Sequence, residues 1–392
     1  MANGLDLPRE VFDIIFAHLT TTVPGELRHH QAERIMGTAS HLRLVCRQWA
    51  DWLYESHLHR SLSFGSHSAA VELADSIRQR SELRPPPVCK YLEIDHLWPW
   101  PRDTLPLAAH ADTATSETLE ILLKVFSDTI VTLDIKFYDF FTLPSRTIDI
   151  IRRMPNLRNF TFGNSRWWSG HDDFPATDPG CFNALMMATP GLQSLRLDIP
   201  VCLRLEPGLP AITYLDILPA PDENQEILTS LLVALKPTLK VLSLRYRGSD
   251  YDTQPLLPAF ETIRETLEGL SVQTSSFLTP IFNLHFPKLR VVSVHSWRGS
   301  ITDWSTQNMF LYAPIRVLAV SSCTTKALAP ADPLTDTDTF ANLSKLEQLV
   351  FCTSHTSFRP PPSLLSACQA RRIKCVYLDR SDMPLIMAKC PL

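Results

Sequence analysis

Two stretches of the sequence carry side chains that could do chemistry. In LRLVCRQWADWL, Leu42 to Leu53, a cysteine stands three residues before one tryptophan and six before another. A thiol becomes a nucleophile when a base or cation lowers its pKa, and a metal ligand when other thiols or imidazoles converge on the same ion. Cys46 has no base or second thiol close in sequence. Leu42, Val45, Cys46, Trp49 and Leu53 recur at helical intervals, with Arg43, Arg47, Gln48 and Asp51 opposite. That spacing predicts a helix with Cys46 packed on its apolar face. The second stretch, GNSRWWSGHDDFPATDPG, sets His171 among Asp172, Asp173 and Asp178. Such groups can hold a cation or move a proton. No second histidine stands at ligand spacing, and a Gly-, Pro- and Ser-rich run reads as a solvated loop.

The rest of the chain adds no catalytic signature. Its nine cysteines are an odd number with no CxxC pair, which suits reduced, buried thiols. P-loop, dinucleotide, nucleophile-elbow and zinc motifs are missing, so neither enzyme chemistry, a metal nor a cofactor is expected. With 37 basic and 41 acidic residues the formal net charge is -4, which gives no electrostatic reason to expect nucleic acid or an anionic membrane. The start MANGLDLPREVF lacks a secretory pattern, and no run is apolar enough to span a bilayer. A soluble cytoplasmic or nuclear protein is expected.

The elements that position these residues fall into a front and a back. After Leu7-Pro8, Val11, Ile14, Ile15 and Leu19 form one helical stripe and Phe12 and Phe16 a second. A helix apolar on two sides needs cover from two directions, which two short helices cannot supply alone. A docking module is the expected result. LPREVFDIIFAHL followed by LRLVCRQWADWL resembles an F-box, with its Leu-Pro start, Ile/Leu-rich helix and later Val-Cys-basic-x-Trp helix. The resemblance implies binding to the Skp-type adaptor of a cullin-RING ubiquitin ligase. It would act through Leu7, Pro8, Phe12, Ile15 and Phe16 on the first helix and Val45, Cys46 and Trp49 on the later one. The 22 residues from Thr20 to His41 depart from the short link usual in such motifs.

Behind this module, HSAAVELADSIRQRSEL leads into Pro85-Pro86-Pro87, which reads as a joint. KYLEID, Lys90 to Asp95, reads as an initial strand. The pattern apolar-x-x-apolar-x-apolar then begins at Ile130, Leu157, Leu192, Ile212, Leu239, Leu267, Leu289, Ile315, Leu346 and Ile373. Proline stands two residues before it at Pro155, Pro190, Pro210, Pro237 and Pro287, and one before it at Pro314. A helix stopped by proline and followed by a short strand, repeated, predicts a solenoid. This part resembles leucine-rich repeats. The expected fold is therefore α/β: a helical F-box over 1–64, a linker helix and Pro-rich joint over 65–87, and a leucine-rich-repeat-like solenoid with a parallel sheet over 88–392.

In a solenoid the apolar triplet points inward, while intervening residues and those after each strand line the inner curve or its rim. Six of the eight tryptophans follow strands: Trp98, Trp100, Trp167, Trp168, Trp297 and Trp304, joined by Tyr138, Tyr246 and Tyr251. Arginines beside several of them favour an acidic or phosphorylated ligand. The residues expected to hold a protein substrate are Trp167, Trp168, Arg245, Tyr246, Arg247, Trp297 and Arg298. Together these readings describe a substrate receptor of a ubiquitin ligase, with a scaffold that recruits partners without ubiquitination as the alternative.

Overall fold

Pro8, at φ -55° and ψ 149°, stands at the entry to helix α1 (Arg9–Leu19). Its ring fixes φ near that value, and Glu10 in the first turn lies where the helix dipole favours negative charge. This is a computed structural model, which describes residues 8–20, 35, 37–81, 86–100, 102–104, 111–138, 140–164, 178–200, 210–218, 225–245, 256–296, 305–321, 340–353, 358–378 and 383–389. Phe12 and Phe16, one turn apart on α1, are buried against Ala39, Trp49, Trp52 and Leu53. The rings meet largely edge to face, Phe12 with Trp49 at 4.7 Å and Phe16 with Trp52 at 5.8 Å between centroids.

The single helix expected over 42–53 is broken. Residues 37–42 are helical and 43–45 form a turn, closed by bonds from the Leu44 and Val45 amides to His41 and Leu42 carbonyls at 3.1 Å. Cys46 is extended, at φ -160° and ψ 169°, and caps helix α2 (Arg47–Ser56). The break lets Trp49, Trp52 and Leu53 turn onto the two phenylalanines, so tertiary packing overrides the local period.

The chain divides into two compact units, Met1–Gly191 and Leu192–Leu392. In the first, strands β1 (Ser61–Phe64), β2 (Tyr91–Leu97), β3 (Thr132–Phe137) and β4 (Asn159–Asn164) pair in parallel and in sequence order. Helices α3 (His67–Ser81), α4 (Ser116–Phe126) and α5 (Ser145–Arg152) cross between successive strands, and α6 (Pro179–Ala188) follows β4. Because β1 already pairs with β2, the helix expected to be a linker is the first crossover, and sheet begins ahead of the Pro-rich joint.

In the second unit, β5 (Ser194–Pro200), β6 (Tyr214–Leu218), β7 (Val241–Leu244), β8 (Gly269–Thr274), β9 (Val291–Ser296), β10 (Val317–Ser321), β11 (Gln348–Cys352) and β12 (Lys374–Leu378) again pair in parallel, each with its sequence neighbours. Helices α7 (Gln225–Leu235), α8 (Leu257–Ile263), α9 (Asn308–Tyr312) and α10 (Pro362–Ala370) and a 3₁₀ turn over Ser275–Ile281 connect them, and α11 (Met383–Lys389) follows β12.

Each of the ten expected triplets overlaps a strand. From Ile130 to Leu346 all three members are buried, such as Leu239, Leu242 and Leu244. The fold class is an α/β solenoid with parallel strands, the arrangement the triplets imply. The last unit differs. Lys374 pairs with Gln348, and Cys375 with Leu349, so β12 is slipped by one residue from the triplet register. A slip of one moves side chains to the opposite face, and Val376 and Leu378 join a cluster there. Among the described residues, no helix is long and apolar enough to cross a membrane.

Candidate functional site

The front module presents two classes of apolar residue. Phe12, Phe16 and Trp49 form its interior, so three of the expected adaptor contacts are core and unavailable to a partner in this conformation. Ile15 and Cys46 are half-buried against the same cluster. Pro8 is exposed, and Val45 is 53 % exposed. Leu7 lies outside the described residues. Three further exposed apolar residues were not among those expected: Ile14 at 69 %, Leu19 at 48 % and Leu44 at 77 %. The signal for the first two was present in the first stripe of α1, which carries Val11, Ile14, Ile15 and Leu19. Leu44 could be found only once the helix was known to break beside it.

Leu44 also edges a cleft of about 340 Å³, whose walls include Arg43, Asp51, Tyr54 and Arg80. The Arg80 guanidinium sits over the Tyr54 ring, 4.7 Å from its centre. On the other side of α2, His57 meets Asp13 at 3.1 Å and packs on Phe16 and Trp52. Burial lowers the His57 pKa, and Asp13 partly offsets the shift. The His57 contacts hold α1 against α2.

The expected substrate residues divide differently. Trp167, Trp168, Tyr246, Arg247, Trp297 and Arg298 lie outside the described residues, as does His171 with Asp172 and Asp173. Arg245 is described. Its guanidinium pairs with Asp198 and, at 2.6 Å, with Asp216, and reaches the Leu197 carbonyl at 3.4 Å. Arg196 joins the same carboxylates at 3.2 and 3.6 Å. An acidic ligand at Arg245 would therefore compete with two fixed aspartates.

In the first unit, residues after β2 and β3 do cluster. Trp98 meets Trp100 at 4.9 Å and Tyr138 at 6.3 Å, and Trp100 meets Phe140 at 5.3 Å. The inner strand face beside them is polar: Tyr91 donates to Asp134 at 3.0 Å, and Lys136 pairs with Glu93.

Groups that could have been reactive are occupied structurally. Asp178 caps α6 by accepting from the Cys181 amide at 3.1 Å, and accepts from the Thr142 hydroxyl at 3.0 Å. Burial pushes the thiols of Cys89 and Cys368 up to about 12 and that of Cys181 to about 11. At neutral pH these are protonated and weakly nucleophilic.

The fold defines a class, an α/β solenoid of parallel strands behind a small helical module. No protein-family model matches the sequence, and no curated protein does. Among solved structures, it is similar to the leucine-rich repeat-containing protein LegL7 from Legionella pneumophila. The two share 12 % identity at a TM-score of 0.47, over 80 % of this chain and 96 % of that one.

Proposed function

We propose that this chain is the substrate-recognition subunit of an SCF-type cullin-RING ubiquitin ligase. The front helices dock on a Skp-type adaptor, and the solenoid holds a target protein. The observation that supports this reading is the exposure of Ile14, Leu19, Leu44 and Val45 on a module whose interior is already filled by Phe12, Phe16, Trp49 and Trp52. Apolar side chains left outside a sealed core suit a partner surface. The receptor supplies no reacting group: holding a target lysine near the conjugating enzyme raises its effective concentration.

Co-purification with a Skp-type adaptor tests this. The double variant Ile14→Asp with Leu44→Asp should lose the adaptor while its thermal unfolding stays within about 2 °C of wild type, because neither side chain is packed. Stabilisation of a bound target in cells carrying the double variant would separate the ligase from a scaffold. Retention of the adaptor by that variant would sink the docking surface named here.

A further inference from the structure

Side chains alternate between sheet faces, so residues between triplet positions point away from the crossover helices. In the second unit these include Val241, Val291, Val317, Ala319 and Val350. They are buried in one cluster with Met383 and Ile386 of α11, and Met387 packs at its edge. Met383, Ile386 and Met387 are spaced i, i+3 and i+4, one face of a helix. Gly269 stands in register between Val241 and Val291. A Cβ at that position would lie 2.9 Å from Met383 Cε and 3.4 Å from Met387 Sδ. The missing side chain is a notch in a valine floor, filled by methionines from α11.

We propose that this inner face is a docking site for an amphipathic helix of a partner protein, occupied in the free chain by α11. The partner helix carries an unbranched apolar side chain for the Gly269 notch and apolar side chains three and four residues later. Concave repeat faces are binding surfaces, and a helix laid in an apolar groove is a recurring recognition mode. A seven-residue helix is too short to persist alone, so α11 is held by what its side chains touch. Two of its three anchors are methionines, flexible groups that another helix can replace without matching a fixed shape. The floor is apolar, so exchange responds little to salt. This site lies wholly in the second unit and stands whether or not the front module binds an adaptor.

Two measurements on the full chain test the proposal. In native-state hydrogen exchange, residues 383–389 should open and exchange faster than Val291–Ser296 and Val317–Ser321. A labelled peptide of residues 379–392 should bind the Ile386→Asp chain at least about tenfold tighter than wild type, since the competing helix is released. Adding Gly269→Leu should remove that gain by filling the notch. Exchange of α11 in step with β9 and β10, equal peptide binding by both chains, or global loss of strand protection in Ile386→Asp would each make α11 fixed core and overturn the proposal. Dimerisation of the wild-type chain by swapping α11 would replace the partner with a second copy and overturn it equally.

Discussion

His59 is the first core position of the β1 repeat, the place that leucine or isoleucine takes in the ten triplets from Ile130 onward. It is 8 % exposed, edge-on to Tyr54 at 5.2 Å. Burial, and secondarily Arg80, lowers its pKa from 6.5 to about 4. The neutral ring is therefore the folded form, and between those values the unfolded chain binds a proton that the folded chain refuses. Stability is full above pH 6.5 and falls as pH drops toward 4, by about 1.4 kcal/mol per pH unit. Denaturation of wild type and His59→Leu across this window should show the variant gaining relative stability as pH falls. A pH-independent difference would remove His59 as the cause. Phe12 and Ile14 make the complementary case in the front module: Phe12→Ala should destabilise by about 3–5 kcal/mol, whereas Ile14→Ala should change unfolding by less than about 0.5 kcal/mol. Both residues look alike in a hydrophobic pattern; only the partner helix decides which one is core.

Elements with a repeated local pattern could be read from sequence, and those set by tertiary contact could not. All ten triplets led to strands because a parallel strand needs apolar side chains on the crossover face in every repeat. The β1 strand escaped because His59 holds the first triplet position, and β2 was found only by its KYLEID pattern because Cys89 does the same there. The β12 slip escaped because Ile373, Val376 and Leu378 keep the spacing while the pairing places them differently. The front site was half visible: both stripes of α1 were evident, but the turn at 43–45 that exposes Leu44 and Val45 follows from packing of Trp49 and Trp52. At α6, Asp178 looked like a possible metal ligand and is a helix cap. Asp178→Ala should cost about 1 kcal/mol of stability and Asp178→Ser should recover most of it, measured by denaturant midpoint. Equal losses in both variants would mean that the cap bond contributes little.

At the scale of the molecule, a solenoid stabilises each repeat mainly through the repeats beside it. The first unit makes this testable because its interior is aromatic. Phe162 on β4 lies 4.1 Å from Phe160, 5.1 Å from Phe141, 6.2 Å from Phe182 and 6.5 Å from Phe137, ring centre to ring centre. Phe162→Ala opens a cavity among all four and should cost about 3–5 kcal/mol locally. In a one-dimensional array the damage falls on neighbours, so hydrogen exchange should accelerate in Thr132–Phe137, Asn159–Asn164 and Pro179–Ala188. Protection in Val317–Ser321 and Gln348–Cys352, several repeats away, should persist, and so should that of α1 and α2, whose core is the Phe12–Trp52 cluster. Under the proposed receptor role, the variant would then still co-purify with a Skp-type adaptor while losing a target held by the early repeats. Uniform acceleration across the described strands would instead show a single cooperative fold, in which no repeat can be weakened without weakening the front module too.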